Sequence, residues 1–151
     1  MNKLNSTQLK ITLSYIGFIP FVFFGLMPWI YEKYDHIFLS LHIFYGSIVL
    51  SFLAGFFWNK DFDQEREIRN VFIGIAFSVL AILIAFIAYF NFLLAASIFS
   101  MIVFYLIYIF EKNTIFYEDQ DEEFQELRKT LTLLVCISFL ISSAYSINPY
   151  N

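Results

Sequence analysis

VFIGIAFSVLAILIAFIAYFNFLLAASIFSMIVFYLIYIF, residues 71–110, is 40 residues long and contains no Asp, Glu, Lys or Arg. A single helix of that length would extend about 60 Å at about 1.5 Å per residue, twice the roughly 30 Å of a bilayer's hydrocarbon. The run therefore divides into two spans. Asn91 is its one strongly polar residue and lies at its centre, which predicts a tight hairpin over 89–92 and spans at 71–90 and 92–110.

Working outward, residues 59–70 are polar, and Asp61 with Gln64 three positions on predicts a capping pair that opens the helix of the 71–90 span. Glu65 and Arg69 stand four apart in the favourable order. Upstream, residues 37–58 and 11–31 are two further charge-free runs of membrane length, separated by a polar turn at 32–36. A cleaved signal peptide would have a shorter apolar core, about 7–15 residues, ending at a small-x-small site. Pro28-Trp29-Ile30-Tyr31 offers no such site. Downstream, an acidic loop at 111–129 leads into a fifth span at 130–147, stopped by Asn148-Pro149-Tyr150-Asn151.

Composition agrees with this reading. The chain has 151 residues, 60% hydrophobic, 22% aromatic and only 15% charged, outside the range of soluble domains. Its net charge of -4 matters less than its distribution, because the charges fall only in 1–10, 32–36, 59–70 and 111–129. Five spans put eight of the nine Lys and Arg on one side, in the N-terminal segment and the second and fourth loops, and leave Lys33 alone on the other. Lys and Arg are retained on the cytoplasmic side, so the N-terminus is expected to be cytoplasmic. Cys136 is the only cysteine, which excludes an internal disulfide and a cysteine metal cluster. The expectation is an all-α polytopic integral membrane bundle, one domain over 1–151, with a cytoplasmic acidic loop.

Small residues recur at helical spacing. Ser47, Ser51 and Gly55 are four apart in the second span, and Gly74, Ser78, Ala81, Ala85 and Ala88 alternate by four and three in the third. Such faces join helices in lipid, where no water is expelled on contact, so the two stripes are expected to touch. A substrate groove or a self-association face is the functional alternative.

His42 is the deepest ionisable residue apart from tyrosine and cysteine, and an intramembrane ionisable group is a candidate proton or ligand site. The plainer expectation is a neutral imidazole bonded to a tyrosine such as Tyr15 or Tyr45. Pro20 removes a helix donor in mid-span, so it is expected to face protein that compensates the freed carbonyl. Trp58 closes the second span, and with His42, Tyr45 and Pro20 it completes the candidate functional set. Asp121, Glu122 and Glu123 head the densest charge cluster. Their spacing matches no calcium loop, and the plain reading is a solvated helix start, with Phe124, Leu127 and Leu131 on one side and Arg128 and Lys129 reaching lipid phosphates. A partner-docking role is the alternative. The His-Glu-x-x-His, Gly-x-Ser-x-Gly and phosphate-loop patterns are missing, so no enzymatic activity, cofactor or nucleic-acid partner is expected.

Three blocks together carry a resemblance: Gly17-Phe18-Ile19-Pro20-Phe21; Tyr45-Gly46 leading to Leu50-Ser51-Phe52-Leu53-Ala54-Gly55-Phe56-Phe57-Trp58; and Leu127-Arg128-Lys129-Thr130-Leu131-Thr132. In order and spacing they resemble the domain-of-unknown-function family 3429, which includes relatives of transmembrane protein 69. The resemblance implies a polytopic protein of bacterial inner or mitochondrial membranes, with no assigned activity. The chain departs from the family's pattern at Asn59-Lys60 and before Leu127. The functional expectation is a non-enzymatic accessory or assembly component of a larger membrane complex, with membrane lipids and a membrane-protein partner or a second copy as its contacts. The alternative is a small transporter or channel for an apolar or weakly charged solute.

Overall fold

The computed structural model describes residues 6–59 and 63–148. Its elements are α1 (Ser6–Ile30), a 3-10 turn (Glu32–Tyr34), α2 (Asp35–Ala54), a second 3-10 turn (Gly55–Trp58), α3 (Gln64–Tyr89), α4 (Leu93–Glu111), a short α5 (Ile115–Glu118) and α6 (Glu122–Ile147). Among the described residues five segments are long and apolar enough to cross a membrane: Gln8–Ile30, Glu32–Trp58, Gln64–Tyr89, Leu93–Glu111 and Glu122–Ile147. The chain is a multi-pass, all-α membrane protein. The helices α3 and α6 begin well before the charge-free runs, because Glu65 and Glu67, and Glu122 and Glu123, sit in their first turns and complement the helix dipole.

The cap of α3 is Asp63, whose carboxylate accepts from the Glu65 N–H at 3.0 Å. The expected cap Asp61 lies outside the described residues, as do Pro149 to Asn151. The hairpin at Asn91 forms as its polarity predicted. Asn91 has φ 63°, a left-handed conformation that asparagine tolerates better than most residues. Its N–H bonds the Ala88 carbonyl at 2.9 Å and the Phe92 N–H bonds the Ile87 carbonyl at 3.2 Å, the paired closure of a Schellman motif. The fourth loop also contains α5, which was not expected, and there the Thr114 side chain accepts from the Tyr117 N–H at the helix start.

One core draws on every long helix, through residues such as Phe21, Ile43, Phe77, Phe104 and Phe139. Helix α1 packs on α2 and α6, α2 also meets α3 and α4, and α4 closes against α3 and α6. Close approach rests on two glycines. A Cβ on Gly46 would lie 2.6 Å from the Phe139 ring, and one on Gly74 would lie 2.8 Å from the Ala54 carbonyl oxygen. The small stripe of α3 therefore does face inward, with Gly74, Ala81 and Ala88 buried and Ser78 half-buried. The stripe of α2 does not behave as expected. Ser47 is buried, but Ser51 and Gly55 are exposed, and nothing lies within 4 Å of a Cβ built on Gly55. The second span meets α3 instead through Ala54 at the end of α2 and Phe57 of the following 3-10 turn, because Leu50, Leu53 and Phe57 define the span's buried face and Ser51 and Gly55 fall off that face.

Loop contacts fix the relative sides. Lys10 Nζ donates to Gln120 Oε1 at 2.8 Å, and Arg66 pairs with Glu118 at 3.0 Å, so the starts of α1 and α3 share one face of the bundle with α5. At the opposite face the Tyr145 hydroxyl donates to Asp35 at 3.3 Å. This is the parity that the five-span reading requires.

Candidate functional site

His42 is sealed in the core. It is fully buried, its ring stacks on Phe139 at 4.4 Å and 15°, and Phe21 meets it edge-on at 5.8 Å. Its partners are serines of α6 rather than the expected tyrosines. Nδ1 lies 2.7 Å from Ser142 Oγ and Nε2 lies 3.2 Å from Ser138 Oγ. The Ser138 hydroxyl donates to the Val135 carbonyl at 2.7 Å, so its oxygen accepts from Nε2–H, and the Ser142 hydroxyl donates to Nδ1. A neutral imidazole satisfies every position. Tyrosine fails as partner for a geometric reason: Tyr15 is exposed, and the Tyr45 hydroxyl donates to the Gly17 carbonyl at 2.7 Å. That carbonyl adjoins Ile16, whose own helix donor Pro20 lacks, so Tyr45 delivers a donor to the weakened turn. Pro20 is half-buried. The signal for the true partners was in the sequence, since Ser138 and Ser142 stand four apart on one helix face.

Trp58 does not join this group. It is 60% exposed and sits at the far end of α2, thirteen residues from Tyr45 or about 20 Å of helix. Asp121, Glu122 and Glu123 are exposed at the start of α6. Phe124, Leu127 and Leu131 pack on Ile11 and Phe18 as expected. Lys129 is exposed, but Arg128 does not reach outward. It is buried beside Glu111, with its Nε 3.1 Å from Oε1 and a second N–H on Oε2. The spacing of 17 residues across a loop hid this pair, because only the unpredicted α5 turn brings the end of α4 against the second turn of α6. Tyr117 of α5 covers the pair. Burial, then its bond with Tyr108, pushes the Tyr117 phenol up to about 12, so it remains a donor at neutral pH.

A cleft of about 600 Å³ opens between α1, α2 and α6. Helix α1 supplies Lys10, Leu13, Gly17 and Phe21, helix α2 supplies Tyr45, Val49 and Phe52 with Phe56 from the 3-10 turn after it, and helix α6 supplies Phe124, Arg128, Leu131 and Val135. Phe104 of α4 also lines it. The cleft opens laterally, as the 58% exposure of Leu13 and the 68% exposure of Phe52 show. His42 does not line it. Among the described residues no group of three His, Cys, Asp or Glu is placed to hold a metal ion.

The family model for "Protein of unknown function (DUF3429)" matches residues 7–144. Comparison with curated proteins and with solved structures returns no match. The matched segment contains all three sequence blocks and all of the long helices but the first residue of α1 and the last three of α6: Gly46 of the second block makes the tightest glycine approach, and Arg128 of the third holds the buried ion pair. The chain belongs to the DUF3429 family of proteins of unknown function.

Proposed function

We propose that this protein is a non-enzymatic accessory or assembly component of a larger membrane complex, in a bacterial inner membrane or the inner membrane of a derived organelle, with its N-terminus on the cytoplasmic side. The observation that carries this reading is the setting of His42. Its two ring nitrogens are spent on Ser142 and Ser138, its face is spent on Phe139, and it does not line the cleft between α1, α2 and α6. A proton or ligand site would leave a ring nitrogen facing a hydrated path. The transporter alternative, with Pro20, His42, Tyr45 and the small stripe of α2 lining one route, loses its central group. What the chain offers outward is an exposed row of carboxylates, Glu122, Glu123 and Glu126 beside Asp121, at the start of α6, which suits docking to a basic partner surface.

The test is purification from native membranes in a mild detergent. A second membrane protein should co-purify in fixed ratio with the wild type and be lost from the Asp121→Asn/Glu122→Gln/Glu123→Gln variant. Solute flux into proteoliposomes that His42→Ala abolishes, with no partner retained, would overturn the proposal.

A further inference from the structure

We propose that the cleft between α1, α2 and α6 holds an acyl chain of one anionic phospholipid, with the headgroup phosphate on Lys10. The proposal goes beyond the accessory role and stands without it. Three stripes of twelve residues each line the cleft: Lys10 to Phe21 on α1, Tyr45 to Phe56 on α2 and the 3-10 turn after it, and Phe124 to Val135 on α6. Eleven steps of helix rise about 17 Å, close to the roughly 15 Å of one leaflet, half the hydrocarbon thickness. The three stripes run in register. Lys10, Phe56 and Phe124 lie at the loop face that carries the N-terminus, and Phe21, Tyr45 and Val135 lie in mid-membrane. The cleft is thus one leaflet deep and opens sideways to lipid.

Its walls suit a hydrocarbon chain and its mouth suits an anion. Apart from Ser14, Thr132 and the Tyr45 hydroxyl, which is already given to Gly17, the depth is lined by apolar side chains. At the mouth, Lys10 Nζ touches Gln120 Oε1 at 2.8 Å and the Phe124 ring at 5.6 Å, and among the described residues it has no carboxylate partner. Arg128 gives two of its five N–H donors to Glu111, which leaves donors on a side chain that lines the same wall. Two of the loop's carboxylates are turned away, since Glu122 and Glu126 lie two residues either side of Phe124, about 160° around α6 from the cleft-lining stripe.

Native mass spectrometry of the full chain, released from micelles doped with phosphatidylglycerol or phosphatidylcholine of identical acyl chains, tests the proposal. The expected result is a one-to-one phospholipid adduct that prefers phosphatidylglycerol about fivefold, as one interfacial lysine confers, with the preference abolished by Lys10→Gln. Leu13→Trp, an exposed position that fills the cleft, should remove the adduct, and Leu140→Trp, equally exposed on α6 but outside the cleft, should keep it. Helical circular dichroism establishes that both variants fold. No adduct, equal retention of the two lipids by the wild type, an adduct that survives Leu13→Trp, or a dimer in place of the adduct would overturn it.

Discussion

Arg128 and Glu111 form a buried ion pair where α4 ends and α6 begins, with the carboxylate only 1% exposed. Two parallel N–H···O bonds make it bidentate, the strong geometry for a guanidinium and a carboxylate. Such a pair holds the α5 turn against the bundle: it ties together the two ends of the segment from which Tyr117 and Thr114 are also buried.

Removing one partner leaves an uncompensated charge, so Arg128→Met or Glu111→Leu alone should cost about 3–5 kcal/mol. Replacing both by apolar residues of similar volume should recover most of that loss. Thermal unfolding of the single and double variants in one detergent measures the cycle. A double-variant loss equal to the sum of the two single losses would show that the charges are not coupled.

The serines of the spans divide into two kinds. Ser142 is the donor to His42, whereas Ser97 Oγ is buried with no hydrogen-bond partner among the described residues. Ser142→Ala should cost about 1 kcal/mol, near the usual worth of an interhelical hydrogen bond in membranes, because it strands Nδ1. Ser97→Ala removes an unsatisfied hydroxyl and should be neutral or stabilising. Unfolding midpoints of both variants check the contrast, and a larger loss from Ser97→Ala would contradict it.

The spans and their hairpin were legible because charge-free length and one central Asn91 leave little choice in a bilayer. The inward stripe of α3 was legible for a related reason, since Gly74, Ala81 and Ala88 follow helical spacing without a rival face. In α2 the same spacing misled. Ser51 and Gly55 repeat every four residues, but α2 and the 3-10 turn after it put their larger side chains, Leu50, Leu53 and Phe57, into the core and leave the small stripe outside. Small residues permit close approach; they do not require it. His42 and Arg128 show a second limit. Their partners lie 96–100 and 17 residues away, and only the packing of α6 on α2 and α4 decides which polar side chains meet.

The glycines should respond to alanine according to what a Cβ would meet. Gly74→Ala drives a methyl into the Ala54 carbonyl oxygen at 2.8 Å, which only a shift of α3 from α2 relieves. Gly46→Ala pushes the Phe139 ring, which is itself stacked on His42. Both should lose about 1–3 kcal/mol, the usual cost of overpacking. Gly55→Ala meets open space and should be neutral or slightly stabilising, since alanine restricts the unfolded chain. The order of the three unfolding midpoints is the measurement.

Arg66 bonds both the Asn113 carbonyl and Glu118, and Lys10 bonds Gln120, so three segments far apart in sequence occupy one face of the bundle. Single cysteines placed in a Cys136→Ala background at Glu65, Asp119 and Glu122 should therefore react with a membrane-impermeant maleimide from the same side of the membrane. A cysteine at Lys33 or Tyr34 should react only from the other side, where Asp35 meets Tyr145. With the Lys- and Arg-rich first face in the cytoplasm, as proposed, only the Lys33 and Tyr34 positions should label in intact cells. Labelling of Glu65 and Asp119 from opposite sides would break the five-span arrangement, whereas labelling of both in intact cells would keep the bundle and reverse its orientation.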